Sequence, residues 1–316
     1  MEDRIKVGVS SCLLGNQVRY DGSHKRDRYI TDVLADYFHF IPVCPEVECG
    51  LPVPRETMHL EGDPEQPRLV TTRSNIDHTV KMKKFCTEKI RELQNEKLSA
   101  FIFKKDSPSS GLYRVKVYGH SGQAQKKGRG LFASAVTNHF PLLPLEEEGR
   151  LHDVKLRENF IEQVFCYHRW QSFLEGKPDY KKLVKFHTRH KLQLMAHSPK
   201  HLSKMGKLVA AGKTMPPEEL LDQYQAFLME AMALKATIKK NVNVLYHIMG
   251  HFKTFLTGDE KAELLEIIDA YARSITPLVV PLTMVSHYVR KHGVSYLQDQ
   301  VYLEPHPSEL MLRNHV

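Results

Sequence analysis

Cysteine is scarce in this chain: five residues in 316, an odd number at positions 12, 44, 49, 86 and 166. That excludes a disulfide framework and predicts a reducing compartment, the cytoplasm. No apolar run approaches the roughly 20 residues that a bilayer-spanning helix needs. The start, MEDRIKVGVSS, sets acidic residues before the first apolar run and has no basic stretch, so no signal peptide is expected. Internal repeats and low-complexity segments are absent, which removes solenoids, fibres and disordered chains from consideration.

What is present is an ordinary folded composition, 41% hydrophobic and 26% charged, at a length that suits two domains. Strand and helix patterns alternate in the first half. Ile5 to Ser11 is a β-branched run and Thr31 to Phe38 reads as helix. Phe40 to Cys44 is a second strand, Asp77 to Glu96 a long amphipathic helix, and Ala100 to Lys104 a third strand followed by the turn-rich Ser107 to Gly111. Beyond about Asp153 the alternation gives way to helical spacing over Arg157 to Leu174, Pro217 to Lys240, Val242 to Leu256 and Asp259 to Ile275, with breaks expected at Gly206, Gly212 and several prolines. The fold class is therefore an α/β, Rossmann-like domain with a parallel sheet over residues 1–155, followed by an all-α domain over residues 156–316.

Charge is uneven. The net excess is +8, and Lys177 to Lys213 holds ten Lys or Arg against one acid, Asp179. Such a stretch is either a solvated basic face or the electrostatic footprint of nucleic-acid binding. Lys185, Arg189 and Lys191 stand at near-helical spacing and are the candidate RNA contacts. A metal site built from His187, His190 and His197 ranks below a basic helix, because no carboxylate lies among these histidines.

Parallel strands place their following loops on one edge of the sheet, where ligands bind. Cys12 follows the first strand, Cys44-Pro-Glu-Val-Glu-Cys49 the second, and Ser107 to Ser110 the third. Three thiols there would form a soft donor set suited to zinc, copper(I) or an iron–sulfur cluster. The plain alternative is that Cys12 and Cys49 are small buried apolar residues, as Cys86 and Cys166 are expected to be.

The strings SSCLLGNQVRYDG (Ser10 to Gly22), VCPEVECGLPVPRE (Val43 to Glu56) and KKDSPSSGLYRVKVYG (Lys104 to Gly119) resemble the three signature loops of the thiouracil desulfidase family. FCYHRW and KFHTRHKLQLMAHS in the second half resemble the helical domain fused to that module in tRNA 4-thiouridine desulfidases. The resemblance implies a 4Fe-4S cluster on three cysteines, with the fourth iron free for the substrate's sulfur. It implies Glu46 as the acid/base carboxylate and Ser107 as the catalytic serine. In the absence of the resemblance, Glu46 would read as a capping carboxylate and Ser107 as part of a plain turn. Tyr20, Asp21 and Ser109 are candidates for gripping the base or ribose, and Arg55 reads as a partner of Glu56 or Glu48. The chain departs from the family at one ligand: the usual SPSCG loop is SPSSG here, with Ser110 in the cysteine's place. Cys49 stands where the family has none, so the expected cluster ligands are Cys12, Cys44 and Cys49. The alternatives are weak iron binding by Ser110, or loss of the cluster.

The reaction implied is non-redox, hydrolytic replacement of sulfur by oxygen in a thiolated uracil, most naturally 4-thiouridine in tRNA, releasing sulfide. The rivals are desulfuration of free thiouracil and a non-catalytic RNA-binding or regulatory protein. No membrane partner is expected, and the sequence sets no oligomeric state.

Overall fold

The computed structural model describes residues 4–119 and 122–315. The chain divides into two compact units, Met1–Asp153 and Val154–Val316.

In the first unit, strands β1 (Ile5–Ser10), β2 (Phe38–Val43), β5 (Ala100–Phe103) and β8 (Leu145–Glu147) form a wholly parallel sheet in the order β2-β1-β5-β8. The chain leaves β1 to one side for β2 and returns on the other side for β5, so the order reverses at β1 and opens a crevice at the carboxyl ends. Burial on both faces explains the uninterrupted Ala-Phe-Ile-Phe of β5, in which every residue is fully buried. Phe101 stacks on Phe103 with ring centroids 4.3 Å apart. Phe132 of α3 (Leu131–His139) meets both rings edge-on. Helix α2 (Thr79–Glu96) turns Met82, Phe85, Cys86, Ile90 and Leu93 inward.

The expected helix before β2 is instead a tight π and 3-10 passage over Tyr29–Asp36. The sequence reading contained no second sheet, yet β3 (Met58–Glu61), β4 (Arg68–Thr71), β6 (Val115–Tyr118) and β7 (Ala124–Gly128) form one in the order β4-β3-β6-β7. Its central pair is parallel and its outer pairs antiparallel. Its strands are four or five residues long, too short for alternation to stand out.

The second unit is helical throughout: α4 (Val154–Glu175), α5 (Tyr180–His197), α6 (Pro199–Ala211), α7 (Pro217–Ala233), α8 (Ile238–His251), α9 (Gly258–Ala272), α10 (Val279–His292) and the short α11 (Ser295–Gln298). Several of its helix starts carry side-chain caps. Asp179 accepts from the Lys182 amide, Ser198 from His201, and Thr257 with Glu260 forms a capping box. The single helix expected over Pro217 to Lys240 is two, because Thr237 caps a new start at α8. α6 runs through Gly206 without a break. Trp170 is fully buried and stacks on Tyr224 at 5.1 Å. No helix among the described residues is long and apolar enough to cross a membrane.

Candidate active site

A cavity of about 380 Å³ opens at the carboxyl ends of β1, β2 and β5. Cys12 enters it from a one-turn 3-10 helix, Ser11–Leu14, that follows β1 directly and ends at Gly15, whose φ of 96° suits glycine. Cys44 enters from the end of β2. Its extended backbone precedes the one-turn helix α1 (Pro45–Glu48), and its amide donates to the Glu48 carboxylate at 2.7 Å.

The third wall is the Ser-Pro-Ser-Ser-Gly loop, and α3 holds its shape. The first amides of that helix lack partners within it; Leu131 donates instead to the Pro108 carbonyl at 3.2 Å and Phe132 to that of Ser109 at 2.9 Å. The approach is so close that a Cβ on Gly130 would stand 2.5 Å from the Ser109 carbonyl, so the Gly-started helix and the loop require each other.

Within the cavity a chain of polar side chains leads to Glu46. Its Oε2 accepts from Arg55 Nε at 2.8 Å and from a second guanidinium nitrogen of the same residue. Its Oε1 accepts from Ser109 Oγ at 2.8 Å, and Ser109 Oγ lies 3.1 Å from Ser107 Oγ. Ser107 Oγ also accepts from the Ser110 amide at 3.1 Å. Arg55 is anchored further by the Val18 carbonyl at 3.0 Å. The Arg55 and Glu46 side chains are only 6% and 14% exposed, which makes this a buried ion pair.

Burial pushes the Cys12 thiol up to about 11; Lys104 and Arg19 oppose the rise and Cys44 adds to it. Burial also raises Cys44, against the amide of Val47, which lowers it. Two protonated thiols facing one polar cavity are poor nucleophiles but ready ligands, because a bound cation displaces the proton. Lys104 is itself held by the buried Glu148 at 2.5 Å.

The structure brings Cys12, Cys44, Glu46, Ser107, Ser109 and Tyr20 to this one cavity, and Ser110 with them. It does not bring Cys49 or Asp21. Cys44, with extended backbone, precedes the one-turn helix and Cys49 closes it, so the two side chains leave opposite ends of the turn. Cys49 Sγ contacts the Glu46 carbonyl at 3.2 Å, and burial raises the thiol against the pull of Lys81. Asp21 is spent on its own turn, accepting from the amide and hydroxyl of Ser23 at 3.0 and 2.6 Å. Arg55, read from sequence as a partner of Glu56 or Glu48, is the clamp on Glu46. Nothing local could have shown this, since the strand-to-loop path between them decides it. Among the described residues no three His, Cys, Asp or Glu side chains converge on a metal-ion site. Two of the thiolates that an iron–sulfur cluster uses therefore line the cavity, Cys12 and Cys44, with Ser110 in the third loop.

A wide groove of about 1510 Å³ adjoins the cavity, sharing Lys105 and Asp106 with it. Eight Lys or Arg line it against three carboxylates, among them Arg114, Lys126, Lys127 and Arg129. In the second unit, Lys185 and Arg189 are exposed on α5 and Lys191 is half-buried. His187, His190 and His197 of the same helix point inward to separate partners: the Tyr224 hydroxyl, the Phe186 carbonyl and Glu162. They form no common site.

Residues 7–148 match the family model described as 2-thiouracil desulfurase, and residues 191–307 match one described as a protein of unknown function, DUF1722. The uncharacterized protein YbgA of Escherichia coli (strain K12) is 28% identical over 158 residues, covering 50% of this chain and 94% of YbgA. The uncharacterized protein YbbK of Bacillus subtilis (strain 168) is 32% identical over 108 residues, covering 33% of this chain and 71% of YbbK. Among solved structures, a [4Fe-4S]-dependent thiouracil desulfidase, TudS, aligns with a TM-score of 0.39 and 27% identity over 48% of this chain and 95% of its own.

Proposed function

Since the chain belongs, through residues 7–148, to the 2-thiouracil desulfurase family, we propose that it exchanges the sulfur of a thiolated uracil for oxygen, and that the uracil is 4-thiouridine carried in tRNA. The observation that supports an RNA substrate is the groove of eight basic residues that shares Lys105 and Asp106 with the cavity of Cys12, Cys44 and Glu46. Phosphate contacts hold a strand and fix its register, and a free base would need no such track.

The net reaction adds water across the thiocarbonyl carbon and expels hydrogen sulfide, so two protons must move. Glu46 takes the proton of the attacking water on Oε1, the oxygen that faces Ser109, while Arg55 occupies Oε2 and supplies the counter-charge. Ser109 and Ser107 lie in line to pass that proton toward the ring or the departing sulfur. Tyr20, at the mouth of the cavity and 40% exposed, covers the base. Cys12 and Cys44, with Ser110 at the third position, are the residues that would hold a 4Fe-4S cluster. That group, when bound, offers an open iron as a soft Lewis acid for the sulfur.

The test is anaerobic incubation of the iron-reconstituted full chain with tRNA containing 4-thiouridine, followed by nucleoside mass spectrometry. Conversion to uridine is expected, and Lys126→Glu/Lys127→Glu should lower both the conversion and, by about 2, the salt slope of tRNA binding. A second reading has one observation in its favour: the cavity lies wholly in the first unit and has room for a free base. Turnover of free 4-thiouracil with tRNA untouched would establish that reading instead.

A further inference from the structure

The basic groove beside the cavity carries one aromatic side chain to which the exchange of sulfur for oxygen gives no role. Among the described residues that line the groove, Tyr113 is the single Phe, Tyr or Trp, and it is 38% exposed. One exposed tyrosine is ordinary on a protein surface; the place and the fixing of this one are not. Tyr113 follows Ser110, which lines the cavity, by three residues, so their Cα atoms are at most about 11 Å apart. Lys105 and Asp106, which line both groove and cavity, enter the same loop from its other end. The ring therefore stands where adjacent nucleotides of an unstacked strand can span from groove to cavity.

Both the backbone and the ring are held in advance. The amides of Leu112 and Tyr113 donate to Glu147 Oε1 at 2.8 and 3.0 Å, and Glu147 is buried. The Arg150 guanidinium lies over the ring, its carbon 4.8 Å from the centroid, and Arg150 Nε donates to the buried Glu146 carboxylate at 2.6 Å. A ring fixed before binding loses little side-chain freedom when a partner arrives. A planar ring backed by a guanidinium, set among lysines and arginines, is the combination that takes up unpaired RNA: the charges follow the phosphates and the ring accepts the face of any base.

We propose that Tyr113, backed by Arg150, is a stacking platform for the RNA base next to the one that enters the cavity. The proposal rests on the RNA reading above and names the form of RNA that reading requires. A base that enters a cavity of about 380 Å³ has to leave its stack, and its neighbour then loses a stacking partner. The Tyr113 ring takes that partner's place, which lowers the cost of extruding the thiolated base and favours loops and unpaired junctions over duplex.

Fluorescence anisotropy of a labelled, sulfur-free tRNA transcript with the full chain tests this without turnover. Tyr113→Ala should bind about tenfold or more weakly, with the circular dichroism spectrum and the salt slope of binding unchanged, because a ring and not a charge is lost. Tyr113→Trp should keep the natural affinity, and its emission should be quenched by the transcript but not by inorganic polyphosphate, a polyanion without bases; Trp170, the other emitter, is fully buried. Natural affinity in Tyr113→Ala, or Tyr113→Trp emission that transcript and polyphosphate change alike, overturns the platform and leaves the RNA reading standing. A natural chain that binds no transcript removes the RNA reading itself, and the platform with it.

Discussion

Replacing Arg55 by alanine isolates the pair on which the active site is built. Arg55 spans two contacts to one oxygen of Glu46 and one to the Val18 carbonyl, with both charged side chains largely out of water. Removing one partner of a buried pair costs about 3–5 kcal/mol, because the other charge stays buried and unpaired. Ser109 still donates to Glu46 and the carboxylate keeps 14% exposure, so the lower end, about 3 kcal/mol, applies here. With a urea slope of about 2 kcal/mol per molar, the midpoint of the first unit should fall by about 1.5 M. Far-UV circular dichroism of the cluster-free chain measures this, and emission from Trp170, the single tryptophan, follows the second unit separately. The double change Glu46→Gln/Arg55→Met removes both charges and should recover at least half of the loss, which a double-mutant cycle reads directly. A cost below about 1 kcal/mol for Arg55→Ala, or a double variant no more stable than the single one, would refute the buried-pair argument.

Ser109→Ala should lower turnover about 10- to 100-fold with iron content unchanged, since it cuts the path from Glu46 to Ser107 and leaves the thiols alone; equal turnover would remove Ser109 from the relay. Anaerobic iron and sulfide analysis should show that Cys12→Ala and Cys44→Ala lose the metal, Cys49→Ala retains it, and Ser110→Cys holds it more firmly than the natural chain. Loss of iron in Cys49→Ala alone would restore that residue as a ligand. The second unit should weaken in acid. Burial holds His187 near 4 and His190 near 3, against 6.5 when unfolded. The unfolded chain therefore takes up two protons that the folded one refuses, and their contribution, full above pH 6.5, is lost at about 2.7 kcal/mol per pH unit as pH falls toward 4. Trp170 emission during acid titration measures the slope, and His190→Leu should halve it.

Three of the four parallel strands were legible, β1 and β5 most clearly because they are buried and read as apolar runs, Ile5 to Ser10 and Ala100 to Phe103; β8 was not. The sheet's carboxyl edge followed from topology alone, and with it the meeting of Cys12, Cys44 and the Ser107 to Ser110 loop. The second sheet was not legible, because Met58–Glu61 and Arg68–Thr71 each offer only four residues, with charged ends and no long run. The helical half could be read in outline. Yet His187, His190 and His197 of α5 lie buried within a stretch rich in lysine. A stretch rich in Lys still buries one face when its apolar positions, such as Leu183, Phe186 and Leu194, repeat at helical spacing.

The expectation that Cys49 joins Cys12 and Cys44 rests on its proximity in sequence to Cys44, and the structure leaves Cys49 outside the cavity. Cys49 is five positions from Cys44, closer than any other thiol, and compensation for Ser110 seemed to require only a flexible loop between them. The segment is a helical turn instead, started by Pro45 at its first position and closed by amides of Glu48 and Cys49 on the carbonyls of Cys44 and Pro45. The turn then carries Cys49 to the α2 side, where its charge is felt at Cys86, while Ser110, more than sixty positions away, lines the cavity with Cys12 and Cys44. On the proposed ligand set, Pro45 helps to hold Cys49 away from the cavity, and a change that unwinds this turn is a route by which Cys49 could reach it. Pro45→Gly in the Ser110→Ala background should then be the variant in which iron retention comes to depend on Cys49.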